Sequence, residues 1–199
     1  LPLHRASIQV EHAAALAQAG RREEAWRLLE PRLAGYRQGS TLVRYRGLHT
    51  AGIVRRLQGD LAAAAALQGE ALAALPDQPL QVPRRNNVLS ERALVTLEQG
   101  DAEGALKWLD RVVRPRGSAA QSLELATQQL IRGRALLATG QTAAALEVLR
   151  AAENTWRSLA PAAPAALVAS SWRERAQRAQ AGATSPRHPP RSGRSASTN

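Results

Sequence analysis

Apolar residues recur every three or four positions along most of the chain, with polar residues between them. The stripe is clearest at Leu123, Ala126, Leu130, Gly133 and Leu137. This spacing puts the apolar side chains on one face of an α-helix and predicts a succession of amphipathic helices. Strands are not expected, because the helix-forming residues Ala, Leu, Arg, Gln and Glu dominate and aromatic residues make up only 3% of the chain.

Four glycines divide these helical stretches at nearly equal intervals. Gly20, Gly59, Gly100 and Gly140 stand 39, 41 and 40 residues apart. Glycine readily takes the left-handed conformation that ends a helix and turns the chain back. Each of the four is therefore predicted to separate the two helices of a pair.

The same kinds of residue accompany each glycine. An alanine stands five residues after it, and a small residue stands seven residues before it. These are Ala25, Ala64, Ala105 and Ala145 after the glycines, and Ala13, Gly52, Ala93 and Gly133 before them. We expect the two sets to face each other within a pair, where a larger side chain would hold the backbones apart. Asp60 and Asp101, which directly follow two of the glycines, are expected to cap the next helix.

These positions, with the apolar residue after each alanine, resemble the signature of the tetratricopeptide repeat (TPR) family over about residues 2–159. The units are about six residues longer than that family's usual period of about 34. In this they are similar to the units of kinesin light chains, of large bacterial transcription activators and of sensor regions attached to bacterial serine/threonine kinases. The bulky aromatic residue of the family's first helix is missing, and Gln9, Leu48, Leu89 and Gln129 stand in its place. The resemblance implies an all-α, right-handed α-α superhelix of four TPR-like helix pairs.

The predicted repeat domain covers residues 1–183. Breakers rich in Gly, Ser and Pro divide it into repeats at about 2–38, 41–75, 84–114 and 118–159. The second repeat has the least defined stripe, because it is rich in Ala and has Gln68 at a position that is usually apolar. A capping helix over about 165–181 is expected to cover the last repeat with an apolar stripe at Val168, Trp172, Ala176 and Ala179. Residues 184–199 are rich in Ser, Pro, Arg and Gly and are predicted to form a disordered basic tail.

The net charge of +11 would ordinarily indicate an anionic partner. Lys107 is the only lysine, so we interpret the arginine excess as the composition of a GC-rich bacterial genome. The charges are scattered over the helices rather than gathered in one block. No apolar run has the roughly 20 residues that a membrane-spanning helix needs. Without an initial Met or a signal peptide, the chain is expected to be the C-terminal part of a larger cytoplasmic protein.

The sequence offers little chemistry. The absence of Cys excludes disulfides and thiolate metal sites, and no pair of histidines has metal-binding spacing. No phosphate loop, nucleophile elbow or dinucleotide fingerprint is present, so we expect no enzyme, cofactor or metal. The polar cluster Arg84-Arg85-Asn86-Asn87 is interpreted as a helix start after Pro83 rather than a ligand site. The tryptophans at 26, 108 and 156 are expected in the core, with Trp172 anchoring the end helix.

The TPR resemblance further implies a concave groove lined by the first helix of each pair. Carried over to this chain, the groove positions are Val10, Ala14, Arg46, His49, Ile53, Arg56, Asn87, Ser90, Glu91, Leu94, Thr127, Leu130, Ile131 and Arg134. The family's clamp for chaperone C-termini is not expected, since Val10, Ala14 and Thr50 replace three of its polar residues. The arginines at 46, 56 and 134 instead favour an acidic or amphipathic protein segment as the partner.

Two functional hypotheses follow. The first is a protein-interaction scaffold or sensor module for signalling, within a bacterial regulatory or kinase-linked protein. The alternative is a nucleic-acid-binding helical repeat that uses its basic surface. The alternative is not favoured, because a base-reading array needs polar or stacking residues at one place in every unit. Here the equivalent places hold Val10, His49, Ser90 and Leu130.

Overall fold

The computed structural model describes residues 3–113 and 119–184, and the side chains within 7–113 and 122–182. Over these ranges the chain is helical, with no strand. The helices are α1 (Leu3–Gln18), α2 (Arg22–Leu29), α3 (Leu33–Arg37), α4 (Thr41–Gln58), α5 (Leu61–Ala73), α6 (Val82–Glu98), α7 (Ala102–Asp110), α8 (Ala119–Ala138), α9 (Thr142–Leu159) and α10 (Pro164–Thr184). Single 3₁₀ turns, Glu30–Arg32 and Pro79–Gln81, precede α3 and α6.

The helices stack in sequential pairs. The pairs are α1–α2, α4–α5, α6–α7 and α8–α9, and the second helix of each pair also packs on the helix that begins the next one. The first helices α1, α4, α6 and α8 contact one another in that order, and α10 packs on α9 and α8. Because contacts run mainly between neighbours along the chain, the core is continuous rather than central.

The turn within each pair forms as predicted. Gly20, Gly59, Gly100 and Gly140 have φ of +80°, +88°, +92° and +78°, in the left-handed region. Two of the following residues are caps, since Asp60 Oδ1 accepts from the Ala63 N–H at 3.0 Å. Asp101 Oδ1 accepts from the Gly104 N–H at 2.7 Å.

The small residues before the glycines are needed, but their neighbours are not those predicted. A Cβ at Gly52 would stand 2.5 Å from Gln68 Nε2, and one at Gly133 would stand 2.5 Å from Leu149 Cγ. The side chains that face the two glycines, Gln68 and Leu149, thus stand one helical turn after Ala64 and Ala145. Both alanines are fully buried, so they tighten the pair without directly opposing the glycine.

The apolar core has three parts along the stack. The largest joins the first two pairs and contains the bulkiest buried side chains, including Leu29, Tyr36 and Leu48. A second part lies around Ala93 and Leu109 in the third pair, and a third part joins the fourth pair to α10. The tryptophans follow this pattern: Trp26 is buried, whereas Trp108, Trp156 and Trp172 are half-buried and pack against these clusters.

The predicted apolar stripe of the capping helix is partly wrong. Trp172 and Ala176 do face the fourth pair, but Val168 is 41% exposed and Ala179 is exposed. The buried side of α10 includes Ala166 and Ala169 instead. It also includes a charged residue, because Arg173 Nε lies 2.5 Å from a buried oxygen of Glu153 on α9. The predicted stripe contains only apolar residues, so this ion pair was missed.

Two boundaries also differ from the expectation. The first pair does not end with α2, since a 3₁₀ turn and α3 extend it to Arg37. The third pair begins at Val82, two residues before the expected start, because Pro83 occupies the first helical turn. The breaker at 114–118 and residues 185–199 of the predicted tail lie outside the described residues.

Candidate functional site

Two adjoining cavities lie along the row of first helices. The N-terminal cavity, between α1, α4 and the start of α6, has a volume of about 400 Å³. It is lined by Val10, Glu11, Ala14, Leu42, Tyr45, Arg46, His49, Thr50 and Arg84. Its floor is largely apolar, while Glu11, Arg46 and Arg84 stand at its edges.

The central cavity lies between α4, α6 and α8 and has a volume of about 260 Å³. It is lined by His49, Asn87, Ser90, Glu91, Leu94, Glu124, Thr127 and Ile131. His49 lines both cavities, so they form one groove with two compartments.

Most of the residues assigned to the groove by resemblance lie at these cavities. Val10, Ala14 and Arg46 line the N-terminal cavity, and six others line the central one with His49. Ile53, Arg56, Leu130 and Arg134 line neither. Leu130 is buried in the core with Leu146 and Leu149.

The three groove arginines are engaged within the chain. Arg46 Nη2 donates to Glu11 at 2.7 Å. Arg56 Nε donates to Glu91 at 2.5 Å and Arg56 Nη1 to Glu98 at 3.2 Å, and this side chain is only 14% exposed. The guanidinium of Arg134 lies over the Trp172 ring at 5.1 Å. Burial lowers the pKa of Arg134, with Glu98 acting in the opposite direction.

His49 is held by contacts on its ring and on its backbone. Its Nδ1 lies 2.8 Å from Gln68 Oε1, and Gln68 Nε2 donates to the His49 carbonyl at 3.0 Å. Because the amide nitrogen is bound to a carbonyl, Oε1 must accept, and the imidazole is the Nδ1–H tautomer. Its ring stacks on Tyr45 with centroids 5.5 Å apart. Burial lowers the pKa of His49, against the hydrogen bond to Gln68 and the charge of Glu91, and so favours the neutral ring.

Several residues of this site were missed from the sequence, among them Gln68, Tyr45 and Glu124. Gln68 appeared only as an anomaly in a weak stripe, although it is fully buried and orients His49. Tyr45 and Glu124 stand at positions that the TPR resemblance does not single out. The available signal was Gln68 itself, since a polar residue at a regular core position requires a polar partner on the facing helix.

The polar cluster at the start of α6 divides between two roles. Asn86 is buried and joins its amide to the backbone of Val113, donating at 2.8 Å and accepting at 3.1 Å. Arg85 donates to the Leu75 carbonyl at 3.0 Å. These two residues have the structural role that the sequence indicated, whereas Arg84 and Asn87 line the cavities.

Other kinds of site receive no support from the described part of the chain. No cluster of three or more His, Cys, Asp or Glu side chains there is arranged to hold a metal ion. None of the described helices is both long and apolar enough to cross a membrane.

Comparison with known proteins places the fold. No family model matches the chain, and no curated protein matches it either. The solved structures that match include two of a Podosopora anserina protein assigned as a kinesin light chain with nearly identical TPR-like repeats. A point variant of that protein gives a TM-score of 0.69 at 24% identity, covering 89% of this chain and 87% of the other. The other structure gives a TM-score of 0.66 at 24% identity, covering 89% and 88%. The predicted fold, an all-α solenoid of TPR-like helix pairs, is therefore confirmed.

Proposed function

We propose that this chain is a protein-interaction scaffold that binds a segment of another protein along α1, α4, α6 and α8. The observation that carries the proposal is the pair of adjoining cavities, about 400 and 260 Å³, on the side of the solenoid formed by the first helices. Their mixture of apolar and polar lining residues suits an extended or helical segment with alternating apolar and polar anchors.

The charges at the groove argue for shape and hydrogen bonding rather than a simple electrostatic grip. Arg46 and Arg56 are already paired with carboxylates of the same groove. A partner segment that used them would first have to displace Glu11 or Glu91. These contacts therefore do not favour the acidic partner inferred from the sequence.

A groove substitution with a matched control tests this function. Thr127 is exposed, lines the central cavity and lies outside the core, so Thr127→Arg fills the cavity without disturbing packing. Ala66→Arg on the exposed side of α5 adds the same charge away from the groove. Peptides selected from a random display library on the full chain should bind Thr127→Arg at least about tenfold more weakly and Ala66→Arg unchanged. Equal affinities for the two variants, or no selectable peptide, would reject the groove.

We further propose that the parent protein is a bacterial regulatory or kinase-linked protein of the cytoplasm, and that the scaffold itself catalyses nothing. Support comes from the long repeat units and from the arginine-rich, nearly lysine-free composition. The genomic reading frame around this segment is the direct test. A kinase or DNA-binding domain in that frame would support the assignment, and a secretion signal would reject it.

The nucleic-acid alternative rests on the net charge of +11. A salt titration of binding to random-sequence RNA separates it from the scaffold, because each neutralised phosphate adds nearly one unit to the logarithmic salt slope. We expect a shallow slope, since arginines on several helices are paired with carboxylates, as Arg37 is with Glu70 and Arg132 with Asp110.

A further inference from the structure

We propose that the central cavity binds a lysine or arginine side chain of the partner protein. This inference rests on the proposed function and specifies the chemistry of one of its two compartments. It runs opposite to the acidic partner inferred from the sequence, and it comes from the hydrogen bonds that five polar residues of the cavity already make: His49, Ser90, Glu91, Glu124 and Thr127.

The hydroxyl groups of the cavity have already used their hydrogens. Ser90 Oγ donates to the Asn86 carbonyl at 2.8 Å, and Thr127 Oγ1 donates to the Leu123 carbonyl at 3.0 Å. A hydroxyl has one hydrogen and two lone pairs, so each of these groups retains only acceptor capacity toward a ligand.

The imidazole of His49 is an acceptor for the same reason. Its Nδ1–H is bound to Gln68, and no hydrogen bond among the described residues engages Nε2. Burial favours the neutral ring, in which Nε2 carries a lone pair, and His49 lines both cavities.

The carboxylates complete an acceptor surface. Glu124 accepts from Gln128 Nε2 at 3.1 Å and has no cationic partner within the described part of the chain. Burial raises its pKa, against hydrogen bonds from Asn86 and Gln128, as expected for a carboxylate that lacks a counter-ion. Glu91 is only 12% exposed and uses Oε1 for Arg56, while no described hydrogen bond uses its other oxygen.

The arginines near the cavity leave several of these acceptors without a hydrogen-bond donor. Arg56 is held between Glu91 and Glu98, and the guanidinium of Arg134 lies over Trp172. Arg46 and Arg84 line the adjoining compartment, where Arg46 is paired with Glu11, and Arg84 donates to the Leu80 carbonyl and to Gln81. An ammonium or guanidinium group has only donors, so it complements the acceptors of this cavity, whereas a carboxylate or phosphate would find a donor only at the Asn87 amide.

The test is a double-mutant cycle on the full 199-residue chain. Peptides are selected from a random display library, and each enriched Lys or Arg is replaced by Met in synthetic peptides. Protein variants are Glu124→Gln, which keeps the shape of the side chain, and Glu147→Gln, which removes an exposed carboxylate on α9 away from the groove. Affinities are measured by calorimetry at fixed salt, and circular dichroism checks the fold.

We expect selected peptides to be enriched in Lys or Arg at one position, and its change to Met to weaken binding about tenfold or more. Glu124→Gln should weaken the Lys peptide similarly but not the Met peptide, while Glu147→Gln changes neither. Peptides that bind without a basic position, or additive effects of the two substitutions, would overturn the cationic compartment and leave the scaffold function standing. A failure to select any groove-binding peptide would overturn both. Full displacement of the Lys peptide by millimolar spermidine, with no loss on Lys→Met, would assign the cavity to free amines and also reject the proposal.

Discussion

The second and fourth helix pairs build the same close contact from different chemistry. Gly52 and Gly133 both stand seven residues before a turn glycine. Each of them faces the residue that stands nine positions after that turn glycine. In the fourth pair that residue is Leu149, in an apolar cluster with Leu130. In the second pair it is Gln68, which is equally buried but donates to His49 and accepts from it.

The difference shows how a repeat can hold a polar residue in its core. His49 occupies in the second pair the place that Leu130 occupies in the fourth. Each buried pair is chemically matched, amide with imidazole and leucine with leucine. The Gln68 amide also affects the groove, because it fixes the tautomer of His49, which lines both compartments.

The largest loss of stability is expected when Leu149 of the fourth pair is replaced by Gln, the residue of the second pair, without a partner such as His49. Leu149→Gln would bury an amide opposite Leu130, whose side chain offers no donor to the amide oxygen. We expect a loss of about 3–5 kcal/mol in the free energy of unfolding, from lost apolar burial and an unpaired polar group. Urea denaturation followed by circular dichroism measures it.

Leu149→Met is the control, since it keeps the volume and apolar character of the site and should cost less than about 1.5 kcal/mol. Comparable losses for the two variants would mean that packing alone, not polarity, governs this position. The interpretation of the second pair as a matched polar solution would then fail.

The glycines themselves should differ in what they tolerate. At Gly133 an added Cβ would meet the branched carbon of Leu149, whereas at Gly52 it would meet the flexible end of Gln68. Overpacking costs about 1–3 kcal/mol, and replacing a helical Gly gains about 0.5–1 kcal/mol. We expect Gly133→Ala to destabilise by about 2 kcal/mol and Gly52→Ala by less than about 1 kcal/mol.

Gly69→Ala provides the reference, because a Cβ there would have only an Arg92 nitrogen at 3.9 Å. That change should stabilise α5 by about 0.5–1 kcal/mol. A thermal denaturation series of the three variants orders them directly. Equal losses of stability for Gly52→Ala and Gly133→Ala would contradict the premise that the Gln68 amide shifts more easily than the Leu149 side chain.

The repeat could be predicted from the sequence because its determinants are local. A left-handed turn requires Gly, and a cap requires a short acceptor such as Asp60, so both leave a residue-specific mark at a fixed spacing. The partner of a side chain across the helix pair leaves no such mark. Taken from the sequence alone, Gln68 is a weak repeat position, because nothing marks His49 as its partner. Likewise nothing in the sequence marks Glu153 on α9 as the partner of Arg173 on α10.

The groove could be predicted only as a list of positions. The TPR resemblance placed most of the residues that line the two cavities, because the register follows from the turn glycines. It could not say which charges are free, since that depends on pairs such as Arg56–Glu91 between different helices. The sign of the preferred partner is therefore a tertiary property, which composition and net charge do not determine.

The converse change gives the second pair the residue of the fourth. Gln68→Leu keeps a similar volume but leaves the Nδ1–H and the carbonyl of His49 without their partner, so we expect it to lower the free energy of unfolding by about 1–3 kcal/mol. The visible consequence is on His49, since the bond from Nδ1–H to Gln68 raises its pKa and burial lowers it. Without Gln68 the pKa of His49 should fall further, which an NMR titration of the imidazole C–H signals would measure, with exposed His12 as the reference signal. Because His49 binds its proton less readily in the folded state than in the unfolded state, stability should decrease as pH falls below about 6.5. In Gln68→Leu the decrease in stability should continue to a lower pH. A pKa of His49 that rises or stays constant in this variant would contradict the role of the Gln68 amide in setting that pKa.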